Sequence, residues 1–319
     1  MGSPACALAD MRWPEVNSGP RRVLVVPVGS LEQHGPHLPL DTDTRIAVAI
    51  AQRACGGYRG VALAPAIAIG ASGEHAGFPG TLSVGSDALA GCLIELGRHS
   101  SLHWQAMLLV NGHGGNAEAL SVATGRLAYE GRVCRAWHAA PRGGDAHAGR
   151  SETSIMLALA PQAVRIGAAA PGCRRPIGEL MPALRAGGVQ AVSPNGVLGD
   201  PRGASAGEGR RLLAELSAGL SGTLQRLLNE ISAGESAADG RSARHQDEGR
   251  RQGPAMTGVR SHPRIRGCRV ASQGVPRQVA VERAGQARFA GLWSVLVAVL
   301  GPWRSQPVRE TLARNWQGR

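Results

Sequence analysis

The amino-acid sequence predicts an α/β fold, a single-domain sandwich in which a mainly parallel central sheet is flanked by helices. Short aliphatic runs recur along residues 22–234, and they do not alternate between apolar and polar positions. A segment with helical spacing follows each run. Strands that are buried on both faces give continuous apolar runs, and repeated strand–helix units build parallel sheets.

Four aliphatic runs predict the strands, at residues 22–28, 61–69, 106–110 and 133–138. Between and after them, apolar residues recur at intervals of three and four, which is typical of amphipathic helices. The predicted helices cover residues 43–54, 86–100, 116–130, 151–160 and 206–231. Residues 161–205 lack such regularity and contain several Gly and Pro, so we expect a lid or an oligomer contact there.

Composition divides the chain into an N-terminal extension (1–21), a globular domain (22–234) and an arginine-rich C-terminal extension (235–319), which we expect to be largely disordered. The net charge is +12, but the C-terminal extension alone holds 15 arginines against 6 acidic residues. The domain itself is therefore close to neutral, which argues against a nucleic-acid-binding face.

Cysteine usage and hydropathy predict a cytoplasmic protein that does not enter membranes. The six cysteines form no CxxC pair, as expected in a reducing compartment. Residues 1–22 lack the apolar core of a signal peptide, and the longest apolar stretch, residues 289–300, is shorter than the roughly 20 residues that span a bilayer.

Three polar clusters follow apolar runs and predict one metal site. They read EQHGPHLPLDTD (32–43), NGHGGN (111–116) and DAHAGRSE (145–152). Ligands gather at the carboxyl ends of parallel strands, so we expect these clusters to meet at one edge of the sheet.

Glu32, His34, Asp43 and His113 are the candidate metal ligands. Glu32 and His34 are separated by one residue, so both point to the same side of an extended segment. Asp43 opens a predicted helix, whose N-terminus favours negative charge. His113 lies between glycines, which let the backbone approach an ion closely.

The roles of the other polar residues in these loops have more than one interpretation. His37 and Asp41 are either further ligands or groups that hold the loop by hydrogen bonding. Glu152 is either a ligand or a first-turn glutamate that serves the helix dipole. His147 is a candidate proton donor or substrate contact. A fourth loop, GASGEH (70–75), brings Glu74 and His75, which could line the pocket.

Carboxylate and imidazole ligands without thiolate suit Zn, Mn or Fe(II). An aspartate that bridges two ions would give a dinuclear centre, in which water is activated near neutral pH and a carbonyl is polarised. The chain has no Gly-x-Ser-x-Gly elbow, P-loop or Gly-x-Gly-x-x-Gly fingerprint in its strand-linked loops. Metal-assisted hydrolysis is therefore the simplest hypothesis.

The three clusters resemble the creatininase family over about residues 22–232. The stretches GASGEH (70–75) and VSPNGVLGDP (192–201) look closest to the mycofactocin-system branch of that family. The resemblance implies an amidohydrolase with two divalent metal ions per subunit, Zn with Fe(II) or Mn, and a homo-oligomer such as a hexamer. It also implies a substrate, a ribosomal precursor peptide whose C-terminal Val-Tyr unit has been decarboxylated and cross-linked by a radical enzyme.

By this resemblance, Glu32, His34, Asp43 and His113 are ligands, Asp43 bridges the ions, and His147 lies near the substrate. One position departs from the pattern. In creatininase proper a ligand carboxylate lies two residues beyond the motif histidine, where this chain has Gly115. We expect Glu152 to supply that carboxylate and to take part in catalysis with His147.

Two alternatives to the peptidase hypothesis remain. A creatininase-type cyclic amidohydrolase, or a formylamide hydrolase, would use the same metals with different pocket walls. A non-catalytic, metal-stabilised scaffold would bind metal without turnover. Nucleic-acid binding would rest only on the arginine-rich C-terminal extension.

Overall fold

The computed structural model describes residues 6–251, with side chains from residue 7 to residue 235. Five strands and seven α-helices make up this part of the chain. The strands are β1 (Cys6–Ala7), β2 (Val23–Val28), β3 (Val61–Leu63), β4 (Ala106–Asn111) and β5 (Cys134–His138). The helices are α1 (Trp13–Ser18), α2 (Thr42–Cys55), α3 (Ser86–Ser100), α4 (Ala117–Tyr129), α5 (Arg150–Leu159), α6 (Ile177–Val192) and α7 (Ala206–Arg251).

The strands form one sheet in the order β1-β3-β2-β4-β5, and every pairing between them is parallel. Central β2 pairs with β4 along its full length, from Val23 opposite Ala106 to Val28 opposite Asn111. The chain continues from β2 to β3 on one side, then crosses to β4 on the other. The loops after β2 and β4 therefore start at the carboxyl ends of adjacent strands and run in different directions. Open α/β sheets bind ligands at such a point.

Two apolar cores, one on each face of the sheet, explain the uninterrupted aliphatic runs. Val23 and Val25 of β2 pack with buried residues of α2, α5 and α7. Leu24 and Val26 point to the other face and pack with α3 and α4. Because successive side chains of a strand alternate between faces, a strand covered on both sides needs apolar residues at every position. The predicted α/β class and its flanking helices are confirmed.

Several elements differ from the sequence prediction. Residues 161–205 contain a helix, α6, whose periodicity is hidden by Pro182 and by a kink at Gly188, where φ is +68°. Strand β3 ends at Leu63, before Pro65, which cannot donate to the ladder. Helix α7 continues to Arg251, past the predicted end near residue 231. Strand β1 and helix α1 are too short to produce a periodic signal.

The domain limits stay predictions. All five strands fall within Met1–Gln246, one of two compact units of the chain. Residues 235–319 were predicted to be largely disordered. From residue 252 on, this segment lies outside the described residues. Among the helices that the structure describes, none combines the length and the apolar character that crossing a bilayer requires.

Candidate metal centre

The polar loops converge at the carboxyl edge of the sheet. Glu32 and His34 lie in the loop after β2, Asp43 lies in the first turn of α2, and His113 follows β4. The loop turns at Gly35, where φ is +63°. The four side chains are at most 5% exposed. The prediction that these distant residues meet is confirmed by their contacts.

Asp43 lies between two imidazoles. Its Oδ1 is 3.0 Å from Nε2 of His34, and its Oδ2 is 3.2 Å from Nδ1 of His113. The hydroxyl of Ser30 also donates to Oδ2, over 2.8 Å. Burial raises the pKa of Asp43, but His34 and His113 outweigh it and hold that pKa well below its usual value. Asp43 is therefore a carboxylate whose two oxygens face opposite sides of the cluster.

Glu32 is completely buried, and neither of its carboxylate oxygens accepts a well-aligned hydrogen bond from any described residue. Its Oε1 lies 3.2 Å from Nε2 of His75, and its Oε2 lies 3.1 Å from Nε2 of His113. An ionised carboxylate taken out of water costs several kcal/mol unless it is paired, coordinated or hydrogen-bonded. A cation at this position would coordinate the oxygens that accept no well-aligned hydrogen bond, so the residues fit a metal centre.

Backbone carbonyls hold three imidazoles, so that the second nitrogen of each ring points into the cluster. Nδ1 of His34 donates to the Glu32 carbonyl (3.1 Å), and Nε2 of His113 to the Ala71 carbonyl (3.2 Å). Nε2 of His147 donates to the carbonyl of Gln33 over 2.8 Å. Metal-bound histidines usually have this arrangement, because the outer hydrogen bond fixes the tautomer and the ring orientation.

Three sets of three side chains each bring one ligand atom per residue within 4.8 Å of one another. Two of the sets share Asp43, which offers one oxygen to each imidazole. All donors are carboxylate or imidazole, and this combination suits Zn, Mn or Fe(II). The sets are Glu32–Asp43–His113, His34–Asp43–Glu152 and Glu32–His34–His147.

In the metal-free chain, the carboxylates of the cluster raise the pKa values of two histidines. Burial lowers the pKa of His34, but Asp43 more than compensates and raises it to about 10. Burial likewise lowers the pKa of His113, yet Glu32 and Asp43 raise it well above its usual value. The neighbouring carboxylates therefore favour the imidazolium form of both rings when no metal is bound. A cation must displace these protons in order to bind.

His147 has the opposite character. Burial, together with His34 and His75, lowers the pKa of His147 well below its usual value, so the ring is neutral. Its Nδ1 lies 3.7 Å from Oε1 of Glu32. The next residue, Ala148, has a φ of +52°, the only positive φ outside glycine among the described residues. Such strain persists where surrounding contacts fix the backbone, and it is common at functional sites.

Glu152 lies in the first turn of α5, with Oε2 4.0 Å from Nε2 of His34. The backbone amide of Ala148 donates to the same oxygen over 2.6 Å. Burial and the negative charge of Asp43 raise the pKa of Glu152 to about 7. Its carboxyl group therefore belongs to the cluster, on the His34 side.

The remaining candidates divide into two groups. His37 bonds to the Thr153 hydroxyl at 2.9 Å and belongs to none of the three ligand sets, so it holds the loop. Asp41 lies at the surface and pairs with Arg45. In contrast, Glu74 and His75 contact the cluster directly, through His113 and Glu32 respectively.

Sequence reasoning missed Gln33. Its side-chain amide donates to Nδ1 of His75 (2.8 Å) and to the carbonyl of Gly196 (3.0 Å), and its oxygen accepts from the amide of Gly35 (2.8 Å). Nδ1 of His75 is thus an acceptor, and Nε2 carries the proton that faces Glu32. The only signal in the sequence was the position of Gln33 between Glu32 and His34. A side-chain amide at such a position does not by itself indicate a catalytic or metal-binding role.

The family model for creatininase, described as creatinine amidohydrolase, matches residues 9–224. This chain belongs to the creatininase family. Creatininase-family relatives include the mycofactocin precursor peptide peptidase of Mycolicibacterium smegmatis, 50% identical over 62% of this chain and 83% of the relative. The protein of the same name from Mycobacterium ulcerans is 47% identical over 68% of this chain and 86% of the relative.

Other creatininases are more distant. The creatinine amidohydrolase of Pseudomonas putida is 30% identical over 44% of this chain and 66% of the relative. A crystal structure of creatinine amidohydrolase matches with a TM-score of 0.59 and 26% identity, over 70% of this chain and 97% of that one. A mutant creatininase of the Zn–Zn type gives a TM-score of 0.58 and 25% identity, over 70% and 98%. The chain is therefore a creatininase-family hydrolase.

Proposed function

We propose that this hydrolase cleaves the modified mycofactocin precursor peptide and releases its cyclised, Val-Tyr-derived C-terminal unit. The observation that carries the proposal is a contrast in similarity. Relatives named mycofactocin precursor peptide peptidase are 47–50% identical over more than four fifths of their length. The creatinine amidohydrolase is 30% identical over a smaller share. The chain thus resembles the peptide-cleaving branch more than the branch that acts on a small cyclic amide.

The proposal assigns two divalent cations to the cluster, Zn with Fe(II) or Mn. Glu32, Asp43 and His113 would hold one ion, and His34, Asp43 and Glu152 the other, with Asp43 shared. The buried Glu32 oxygens, which accept no well-aligned hydrogen bond from the described residues, and the two-sided position of Asp43 support this assignment. When bound, the cations supply Lewis acidity, which activates water near neutral pH and polarises an amide carbonyl.

The side chains around the ions would then bind and move protons. Nδ1 of His147 is the atom that accepts a proton from the attacking water and delivers it to the leaving amine. The Gln33 carbonyl keeps the ring in the required tautomer by accepting from Nε2. A neutral imidazole has one nitrogen with a lone pair that can accept this proton. Glu32 and His34 are completely buried, so bulk water does not reach these two ligands.

Mass spectrometry of the modified peptide tests the proposal. Metal-loaded protein is expected to release the C-terminal unit, and chelator-treated protein is expected to leave the peptide intact. Creatinine and a formylamide, incubated in parallel, represent the alternative substrates. If the protein hydrolyses either small amide and leaves the peptide intact, the proposed peptide substrate is wrong. Tight metal binding without any turnover would favour the scaffold hypothesis.

The proposed assembly is a homo-oligomer, a hexamer or similar, in the cytoplasm, without nucleic acid or membrane as a partner. Native mass spectrometry measures the subunit number directly, and a monomer at micromolar concentration would contradict this part of the proposal.

A further inference from the structure

Oxygen atoms of three residues surround Nε2 of His113. They are the Ala71 carbonyl at 3.2 Å, Oε2 of Glu32 at 3.1 Å and Oε1 of Glu74 at 3.3 Å. Carbonyl and carboxylate oxygens accept hydrogen bonds, so Nε2 carries a proton. The other ring nitrogen, Nδ1, lies 3.2 Å from Oδ2 of Asp43 on the side of the proposed cation site.

Gly115 makes room for the Glu74 carboxylate. A Cβ at position 115 would overlap Oε1 of Glu74 and would lie 2.5 Å from the Ala71 carbonyl oxygen. The space next to the motif histidine is thus taken by a carboxylate that comes from the loop after β3. Residue 115 itself contributes no side chain to it.

Helix α6 fixes the same glutamate from behind. Its kink residue Gly188 packs against the backbone of Glu74, where a Cβ would lie 2.6 Å from the carbonyl oxygen. The side chain of Glu74 is 21% exposed. Its backbone belongs to the helical turn Gly73–His75, and Gly188 packs against that turn. The carboxylate therefore has a defined position beside the ring of His113.

We infer that Glu74 is a positioning residue. Its carboxylate flanks Nε2 of His113 beside the Ala71 carbonyl, which accepts from that nitrogen, and so helps to hold the ring with Nδ1 facing the proposed cation site. A carboxylate that accepts the outer N–H of a metal-bound histidine orients the ring and increases its basicity. This inference rests on the metal centre of the proposed function. It gives Glu74 a role distinct from that of Glu152, which lies on the His34 side.

Zinc affinity of the chelator-stripped chain tests the inference, without any peptide substrate. Zn²⁺ is titrated into the wild type, Glu74→Ala and Glu74→Gln in competition with a fluorescent chelator. Loss of an outer-shell partner costs roughly 10–100-fold in metal affinity. Glu74→Ala is expected to bind two ions, one of them more weakly by this factor. Glu74→Gln keeps an oxygen acceptor and is expected to lose less.

Glu118→Ala is the matched control, because Glu118 is exposed in the first turn of α4, after the same loop as His113. It is expected to bind both ions as the wild type does. Unchanged zinc affinity in Glu74→Ala would overturn the inference alone. Loss of one whole zinc equivalent would also overturn it, because Glu74 would then be a ligand. A wild type that binds no zinc would refute the proposed function as well.

Discussion

At the scale of single residues, Asp43 links the two halves of the cluster because each of its carboxylate oxygens faces a different imidazole. Burial alone would favour the protonated acid, yet the two imidazoles keep the group ionised. The outer nitrogens of His34 and His113 are held by backbone carbonyls. The inner nitrogens can therefore exchange a proton for a cation without a change in ring position.

Glu152→Gln is expected to lose one of two metal equivalents, since an amide oxygen is a much weaker ligand than a carboxylate. Inductively coupled plasma mass spectrometry of purified protein measures the metal content. Glu179→Gln is the control, because Glu179 is an exposed first-turn glutamate of α6. If Glu152→Gln retains both ions, Glu152 is not the replacement for the carboxylate that Gly115 lacks.

Cation binding is expected to release protons. The raised pKa values of His34, about 10, and of His113 favour an extra proton on both rings before metal binds. Protons and cations compete for the same nitrogens, so apparent metal affinity should rise with pH at least up to about pH 10, where His34 loses its extra proton. Calorimetric titrations in buffers of different ionisation enthalpy measure the protons released. Binding heats that are independent of the buffer would contradict this protonation scheme.

The sequence motifs identified Glu32, His34, Asp43 and His113 because each lies in a dense polar cluster after a buried strand. The same reasoning left Glu74 and His75 undecided, since their partners are about 40 positions away along the chain. Contacts between side chains of different loops depend on how the loops fold. Spacing within a single motif carries no information about them.

At the scale of elements, the register of β2 with β4 positions the centre. Val28 and Asn111 are paired at the carboxyl ends, so the two loops begin side by side. Buried Asn116, in the loop after β4, donates to the carbonyl of Gly29 in the loop after β2 (2.9 Å) and accepts from the amide of Ala71 in the loop after β3 (2.8 Å). The strands were predictable because both their faces are buried. Helix α6 was not, since Gly188 interrupts its periodicity.

Asn116→Ala is expected to destabilise the fold, because it leaves the Ala71 amide and the Gly29 carbonyl buried without partners. Each unsatisfied group costs about 1–3 kcal/mol. Urea unfolding of the metal-free protein measures the change. Asn229→Ala, on the exposed side of α7, is the control and should stay within about 0.5 kcal/mol of the wild type. Equal stability of the two variants would show that Asn116 does not hold the loops together.

At the scale of the whole molecule, the excess positive charge and the candidate metal ligands lie in different parts of the chain. The arginine excess lies after residue 234, whereas the candidate ligands lie between residues 32 and 152. The family match also ends at residue 224. The part of the C-terminal extension after residue 251 is therefore expected to be dispensable for the metal centre.

A chain that ends after Arg251, the last residue of α7, is expected to keep two metal ions and full turnover of the modified peptide. This end point is preferable to residue 234, because Glu235 of α7 pairs with Arg22 and accepts from Gln105. Metal content and initial cleavage rates, compared with those of the full chain, are the measurements. Loss of cleavage with retained metal would assign the extension a role in substrate binding.

The central claim is that two cations share Asp43. Anomalous diffraction from crystals of the zinc-loaded chain, recorded at the zinc absorption edge, tests it most directly. We expect two peaks per subunit roughly 3.5–4 Å apart, as in two-metal hydrolytic sites, one beside His34 and the other beside His113. A single peak, or two peaks of which only one contacts Asp43, would contradict the shared-carboxylate centre.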